Sequence, residues 1–252
     1  MIELYGFTIS HFVEKARWAL DFKGVPYRWV PLLPGPHLRQ VKRIAPRSTV
    51  PVLRDGDTVV QGSSEILDYL DDCYPERPLT PTSKEEREEA RELETRFDRV
   101  IGKATRRIFY SHALSNRRLT LWFFTQGGPR WGPAFYAVAY PFIARAIGGL
   151  YKTTRENADR DELRLTAFLA EIEERLEGRP YLVGDHFSRA DLTLAALLSL
   201  MWSPPERPIE WPPEELYPPD LWAWLQQDAA RPLRDYVLRM YRDHRQSALG
   251  GS

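Results

Sequence analysis

The stretch IELYGFTISHFVEKARWALDFKG, residues 2–24, decides the fold because it places a short strand directly before an amphipathic helix. The apolar run at 2–5 predicts a buried strand, and residues 10–23 carry apolar side chains at helical spacing until Gly24 ends the helix. Ser10 stands at the join. Free backbone N–H groups and the helix dipole favour an anion at such a helix start. Ser10 is therefore predicted either to cap the helix or to contact a ligand.

The following fifty residues continue the alternation of strands and helices. Strands are predicted at 27–32, 50–53 and 58–60, with an Asp-Gly turn joining the last two, and helices at 37–43 and 63–72. The order βαβαββα combines one parallel crossover with one antiparallel pair. A mixed sheet covered by helices is therefore expected over residues 1–76.

The composition changes after residue 75, where three prolines mark a linker. Residues 77–88 are predicted to hold the linker and the start of the next helix, and residues 89–252 an all-helical domain with an insertion at 115–150. Helices are expected at 84–113, at 159–176 with Leu163 on the apolar face, at 188–201 buried on every side, and once or twice within 221–242. The tail 246–252 is expected to be mobile.

The bulk composition narrows the function classes. The 252 residues carry 35 Lys or Arg and 35 Asp or Glu, so the net charge is zero and gives no reason to expect a nucleic-acid or membrane partner. The single cysteine, Cys73, excludes an internal disulfide and a cysteine-rich metal site, and we predict that it is a buried or bystander thiol. No signal segment or bilayer-spanning run is present in the sequence, which predicts a soluble, cytoplasmic protein without a metal.

Two further positions have both a plain and a functional interpretation. Pro51 interrupts a predicted strand, either as an ordinary trans proline at an edge or as a cis proline that turns Val50 outward to pair with an extended peptide. Ser63 begins a helix, either as a cap or as a ligand for a carboxylate. Ser10 stands where a dithiol protein would carry its first cysteine; without a base it is a poor nucleophile, but it could stabilise a bound thiolate.

Four segments together resemble the cytosolic glutathione S-transferases. They are Ser10–Lys15, which is most like the omega-class pattern with serine in place of cysteine, then Arg47–Leu53, Ser63–Leu70 and the box Ser188-Arg189-Ala190-Asp191. The resemblance implies a thioredoxin-like βαβαββα domain followed by an all-α domain. It also implies that Ser188 and Asp191 cap each other's backbone at the start of a buried helix.

The resemblance assigns roles to individual residues. Ser10 is implied as the catalytic residue that hydrogen-bonds the glutathione sulfur. Val50, before a cis Pro51, is implied to pair with the cysteinyl backbone. Ser63 and the adjacent Ser64 are implied to bind the γ-glutamyl end at their helix N-terminus. His37 is either a contact for the glycyl end or a plain surface residue.

The function implied is that of a glutathione transferase acting as a cytoplasmic, detoxifying homodimer. Glutathione is the co-substrate, and its thiolate attacks a small apolar electrophile. Two alternatives remain open: a glutathione-dependent isomerase, ether-cleaving enzyme or dehalogenase on the same scaffold, and a non-catalytic binding or interaction module.

Three features depart from the family pattern or extend it. Gly62 replaces the usual Glu or Gln, so a ligand contact is either missing or supplied by Gln61. His11 either points into the site and titrates near neutral pH or only occupies the first helical turn. The aromatic-rich insertion 115–150 either lines an apolar pocket or forms core or a dimer contact.

Overall fold

A computed structural model describes residues 1–227 and 231–245. Its first part is a four-stranded sheet in the order β2-β1-β3-β4. The strands are β1 (Ile2–Gly6), β2 (Tyr27–Pro31), β3 (Val52–Asp55) and β4 (Thr58–Gln61). β1 pairs parallel with β2 and antiparallel with β3, and β3 pairs antiparallel with β4. The predicted mixed sheet is confirmed.

Three helices accompany the sheet and complete the βαβαββα order. They are α1 (His11–Phe22), α2 (His37–Val41) and α3 (Ser63–Cys73). α1 is the parallel crossover, and it buries almost every side chain because it lies between the sheet and the second part of the chain. The start of α1 therefore lies close to both the sheet edge and the helical domain.

From residue 84 onward the described residues form helices and no strand. These are α4 (Lys84–Ala113), α5 (Arg117–Thr125), α6 (Gly132–Tyr151), α7 (Arg155–Leu176), α8 (Arg189–Trp202), α9 (Pro219–Gln227) and α10 (Pro232–His244), with a short 3₁₀ turn at Glu214–Leu216. The fold class predicted from the sequence is therefore confirmed. The segment 246–252, for which mobility was predicted, lies outside the described residues.

α8 is the centre of the helical part, and each of its fourteen residues is buried. The predicted capping box starts it: the Ser188 N–H donates to Asp191 Oδ2 at 2.8 Å, and Ser188 Oγ accepts from the Ala190 N–H at 3.3 Å. The Leu182 N–H also donates to Asp191, at 2.8 Å. A buried helix start needs these partners because unpaired N–H groups away from water are costly.

One helix-face prediction was wrong. Leu163 is 75% exposed, because Leu165 rather than Leu163 lies on the inward stripe of α7 with Phe168, Leu169 and Ile172. Cys73 is exposed at the end of α3, so of its two predicted alternatives, buried or bystander, only the bystander thiol remains.

A buried ionic cluster joins the two parts of the molecule. Glu94 on α4 lies between two cations, with Lys15 Nζ 2.6 Å from its Oε1 and Arg189 Nε 2.6 Å from its Oε2. Lys15 also contacts Asp98 Oδ2 at 3.0 Å, and Arg189 contacts Asp68 of α3 at 2.6 Å. Since these residues come from α1, α3, α4 and α8, the cluster holds the starts of α1 and α3 against the helical domain.

Candidate functional site

Ser10 is the N-cap of α1, and its hydroxyl donates to no acceptor among the described residues. Its Oγ accepts a long hydrogen bond, 3.4 Å, from the Val13 N–H, and the residue is partly exposed. A serine hydroxyl can accept one hydrogen bond and donate another at the same time. The two interpretations of Ser10 are therefore compatible, because capping leaves its proton available for an acceptor in the cleft.

The neighbouring Thr8 hydroxyl is already occupied. Its Oγ1 donates to the Gln126 carbonyl at 2.9 Å, across to the segment between α5 and α6. Of the two hydroxyls before α1, Ser10 is thus the one with donor capacity to spare.

Arg207 lies directly behind this turn, and sequence reasoning missed it. The guanidinium is 1% exposed and donates to the Ile9 carbonyl at 2.7 Å, the Thr8 carbonyl at 3.3 Å and Ser199 Oγ at 2.9 Å. No carboxylate in the described part of the chain forms an ion pair with it, and its Nε has no partner there. Burial lowers the pKa of Arg207, opposed by the more distant Glu14. The segment 204–219 looks irregular in sequence, so no local pattern indicated that one of its arginines would fold under α1.

His11 does not point into the cleft as a titrating group. It is buried, and its Nε2 lies 3.2 Å from the Gly102 carbonyl of α4. Burial, together with the positive charges of Arg106 and Arg207, lowers its pKa from 6.5 to about 3. His11 is therefore neutral at physiological pH, and of its two interpretations the first-turn, structural one is correct.

Val50 and Pro51 stand just outside the sheet. Their peptide bond is cis, as the family resemblance implies, and β3 begins at Val52, two residues later than predicted. Pro51 accepts a hydrogen bond from the Gly62 N–H at 3.1 Å. Within the described residues the N–H and C=O of Val50 take part in no backbone pairing, so they remain available at the sheet edge.

Gln61 fixes the loop that leads to Val50 and uses both of its amide hydrogens there. Its Oε1 accepts from the Arg47 N–H at 3.0 Å, and its Nε2 donates to the carbonyls of Arg47 and Thr49 at 2.7 and 2.8 Å. The side chain is buried. The idea that Gln61 supplies the contact missing at Gly62 therefore does not fit its geometry.

The start of α3 is open rather than capped by a serine. Its N-cap is Gly62, at φ +118°, and no side chain caps the helix. Ser63 is the first helical residue, so the expectation that it is the cap was wrong. A Cβ added at Gly62 would lie 2.1 Å from Glu65 Oε2, which shows that the Glu65 carboxylate folds back over residue 62. A carboxylate is thus present beside the helix start, supplied by Glu65 instead of residue 62.

Ser64 faces the ionic cluster instead of the open helix start. Its hydroxyl accepts from Lys15 Nζ and donates to Asp98 Oδ2, both at 3.1 Å. Ser63 and Ser64 are adjacent in sequence, but only Ser63 has a side-chain hydroxyl free of such contacts among the described residues.

His37 is the first residue of α2. Its Nδ1 accepts from the Gly35 N–H at 3.1 Å, and its ring meets Phe7 edge-on with the centroids 4.7 Å apart. Burial lowers the pKa of His37, opposed by backbone hydrogen bonds at Ser48 and Leu33. The imidazole is held in place by both contacts and lies on the same side of the sheet as Phe7.

The aromatic insertion packs against this side of the first domain. Tyr136 of α6 donates to the Pro34 carbonyl at 2.7 Å, and Gly128 and Gly132 lie against Leu33, where added Cβ atoms would approach to 2.7 and 3.0 Å. The helices α5 and α6 therefore close over the loop between β2 and α2. Four aromatic side chains of the insertion, Phe123, Phe124, Tyr136 and Tyr140, are buried in the core, whereas Trp131 is exposed.

The described residues contain neither a metal-binding cluster nor a membrane-spanning helix. No three His, Cys, Asp or Glu side chains among them converge as metal ligands, and none of their helices has the length and apolar character needed to cross a bilayer.

Comparison with known proteins identifies the fold family. The family model of the glutathione S-transferase N-terminal domain matches residues 4–78, and that of the glutathione S-transferase C-terminal domain matches residues 155–227. Glutathione S-transferase Z2 of Arabidopsis thaliana is 42% identical over 89 residues, which are 34% of this chain and 40% of that relative. The chain thus matches about two fifths of the length of that protein.

Two other relatives extend the comparison. A maleylpyruvate isomerase of Ralstonia sp is 31% identical over 121 residues, 47% of this chain and 52% of the relative. The theta class glutathione S-transferase of Xanthomonas axonopodis pv. citri, solved with glutathione bound, superposes with a TM-score of 0.57 over 94% of this chain and 96% of its own, at 22% identity. The two family models together cover more than half of the residues, in the order and positions of the two structural parts. The chain belongs to the glutathione S-transferase family.

Proposed function

We propose that this protein is a glutathione-dependent transferase in which Ser10 stabilises the thiolate of bound glutathione. The observation that carries the proposal is the start of α1: a serine with an unused O–H, a helix N-terminus, and the buried guanidinium of Arg207 bonded to the carbonyls just before it. All three favour a negative charge at one point.

The remaining contacts for the tripeptide follow the same edge. Val50 offers a free N–H and C=O to the cysteinyl backbone. The open N-terminus of α3 with Ser63 suits the γ-glutamyl carboxylate, because uncapped N–H groups bind anions. The Glu65 carboxylate lies beside the N-terminus of α3, where it can bind the α-ammonium group of glutathione. Gly62 has no side chain with which to make this contact. His37 borders the glycyl end, and Ser64 positions α3 through Lys15 and Asp98.

The chemistry is nucleophilic attack by sulfur. The thiol proton leaves to solvent, the thiolate forms a bond to an electrophilic carbon, and a leaving group or an adjacent double bond takes the electron pair. Lowering a thiol pKa from about 9 to about 7 raises the thiolate fraction at neutral pH by nearly two decades. Positioning of the electrophile supplies the rest of the rate.

The electrophile is proposed to be small and apolar and to enter beside α5 and α6, whose aromatic residues close over the β2–α2 loop. By analogy with the family, we also propose that the protein is located in the cytoplasm, acts in detoxification and forms a homodimer. Light scattering of the purified protein measures the oligomeric state.

Calorimetric titration with glutathione tests the proposal. Ser63→Ala is expected to weaken binding, while Ser10→Ala is expected to raise the pKa of the bound thiol, followed by thiolate absorbance in a pH series. Ser83→Ala is the matched control, since Ser83 caps α4 in the same way, accepting from the Glu86 N–H at 3.2 Å. Loss of the cap costs about 1 kcal/mol of stability in either variant. No binding of glutathione at millimolar concentration, or equal effects of Ser10→Ala and Ser83→Ala, would contradict the proposal.

Glutathione-dependent isomerisation is a second candidate, which the similarity to the maleylpyruvate isomerase favours. It needs the same thiolate, which adds to a double bond and leaves again after rotation. Recovery of free glutathione together with an isomerised substrate distinguishes it from conjugation, in which glutathione is consumed.

A further inference from the structure

The outer face of α6 carries three large exposed apolar side chains and one cation, Arg145. Val138, Phe142 and Leu150 are 77%, 76% and 73% exposed, and Trp131 just before the helix is 49% exposed. Of the twenty residues of α6 only Arg145 is charged. Single exposed apolar residues are normal, but several large ones grouped on one helix mark an interaction surface. Nothing in the described part of the chain covers it.

The inner face of α6 explains why the outer one stays outside. Tyr136 and Tyr140 are buried and donate to the carbonyls of Pro34 and Leu114 at 2.7 and 2.8 Å. These bonds fix the rotation of the helix. Val138 and Phe142 therefore cannot turn inward without breaking two buried hydrogen bonds.

The chain segment that contains α6 carries only positive charges. Residues 99–155 contain ten Lys or Arg residues and no Asp or Glu, although the net charge of the whole chain is zero. Arg118, Arg130, Arg145 and Lys152 are exposed, and none of them has an ion-pair partner among the described residues. They lie on α5, on α6 and at its two ends. The zero net charge thus hides a separation of charge along the chain.

We propose that α6 docks on an anionic lipid surface, lying in the plane of the headgroups with its apolar face inserted. A helix of about 30 Å with an apolar face, flanking cations and an aromatic residue at one end has the character of an interfacial helix rather than a spanning one. The surrounding lysine and arginine side chains meet anionic headgroups.

The charge argues against a second copy of this chain as the occupant. A two-fold contact through α6 would bring the same unpaired cations face to face, with no acid in residues 99–155 to neutralise them. The exposed face is also the outer side of a single helix and offers no groove. A lipid surface satisfies both the charge and the shape.

Vesicle co-sedimentation of the full chain tests the proposal. Binding is expected to vesicles of phosphatidylcholine mixed with phosphatidylglycerol, to be absent with phosphatidylcholine alone, and to weaken at high salt. Each cation near an anionic surface strengthens binding about fivefold, so Arg130→Gln combined with Arg145→Gln is expected to weaken it about 25-fold. Val138→Ser combined with Phe142→Ser is expected to weaken it by about tenfold or more.

Matched controls lie on and just beyond α7. Leu163→Ser removes an equally exposed apolar side chain, and Arg164→Gln with Arg179→Gln removes two exposed cations. These variants are expected to bind as the unmodified protein does. Circular dichroism confirms that every variant is folded.

Three results would overturn the proposal. They are the absence of sedimentation with anionic vesicles at low salt, equal losses in the α7 controls, and a change of oligomeric state in the Val138 and Phe142 variant without any vesicle binding. The last result would show that α6 contacts protein instead of lipid.

Discussion

Replacing Glu94 by Gln tests whether the buried cluster holds the two domains together. Glu94 is 3% exposed and lies between Lys15 and Arg189, 2.6 Å from each. These cations outweigh its burial and lower its pKa from 4.5 to about 2. At about 1.4 kcal/mol per pH unit, this difference corresponds to about 3 kcal/mol of stability at neutral pH. Glu94→Gln is thus expected to lower the free energy of unfolding by about 3 kcal/mol, in the range measured for broken buried pairs.

Urea unfolding followed by tryptophan fluorescence measures this loss. The control is Glu88→Gln on the same helix, where an exposed carboxylate lies 3.9 Å from Lys84 and contributes less than about 0.5 kcal/mol. A loss below about 1 kcal/mol for Glu94→Gln, or one equal to that of the control, would refute the reasoning.

The pH dependence gives an independent check. Because the folded pKa of Glu94 is lowered, its stabilisation is complete above pH 4.5 and disappears as the pH falls towards 2. The difference between the unmodified protein and Glu94→Gln should therefore be constant from pH 5 to 8 and about 2 kcal/mol smaller at pH 3. A difference that does not shrink below pH 4.5 would show that packing, and not charge, causes the loss.

Three more predictions concern the site. Arg207→Met is expected to raise the pKa of the bound glutathione thiol by about one unit, whereas Arg207→Lys should leave that pKa nearly unchanged because the positive charge is retained. The pKa is measured by thiolate absorbance. Equal pKa values in the two variants would show that Arg207 does not stabilise the thiolate. His11 is neutral in the fold with a pKa of about 3, so stability should fall by about 1.4 kcal/mol per pH unit as the pH drops below 6.5; urea unfolding of His11→Gln should show a shallower slope, and an unchanged slope would contradict the assignment. Gly62→Ala is expected to cost about 1–3 kcal/mol, because Gly62 has φ +118° and Glu65 occupies the Cβ position; adding Glu65→Ala should recover only the part due to the clash, and full recovery in thermal unfolding would rule out backbone strain.

The sequence indicated most of the site elements because their signals are local. Ser10 before an amphipathic helix, an Asp-Gly turn between two short strands and Ser188 three residues before Asp191 each depend on neighbours within a few positions. Family resemblance added the roles of Val50, Ser63 and His37, which no local pattern distinguishes from ordinary loop and cap residues.

The side-chain errors have a common cause. Ser63 was expected to be a cap and Gln61 a possible ligand contact, yet Gly62 took the cap position and Gln61 bound the Arg47–Thr49 loop. Leu163 was placed on the buried face, but it lies on the opposite side of α7 and is exposed. The orientation and hydrogen-bond partners of these side chains depend on which residues are nearby in the folded structure, and sequence spacing alone does not identify those residues.

By itself the sequence determined the order of strands and helices, the buried start of α8 and the position of Ser10 at a helix start, because hydrophobic period, turn residues and caps act over a few residues. Only the tertiary structure decided that Arg207 lies beneath Thr8 and Ile9, that Glu94 joins Lys15 to Arg189, and that the apolar face of α6 stays outside among unpaired cations. Those contacts link residues up to 199 positions apart, and burial in three dimensions sets their charge states and their exposure.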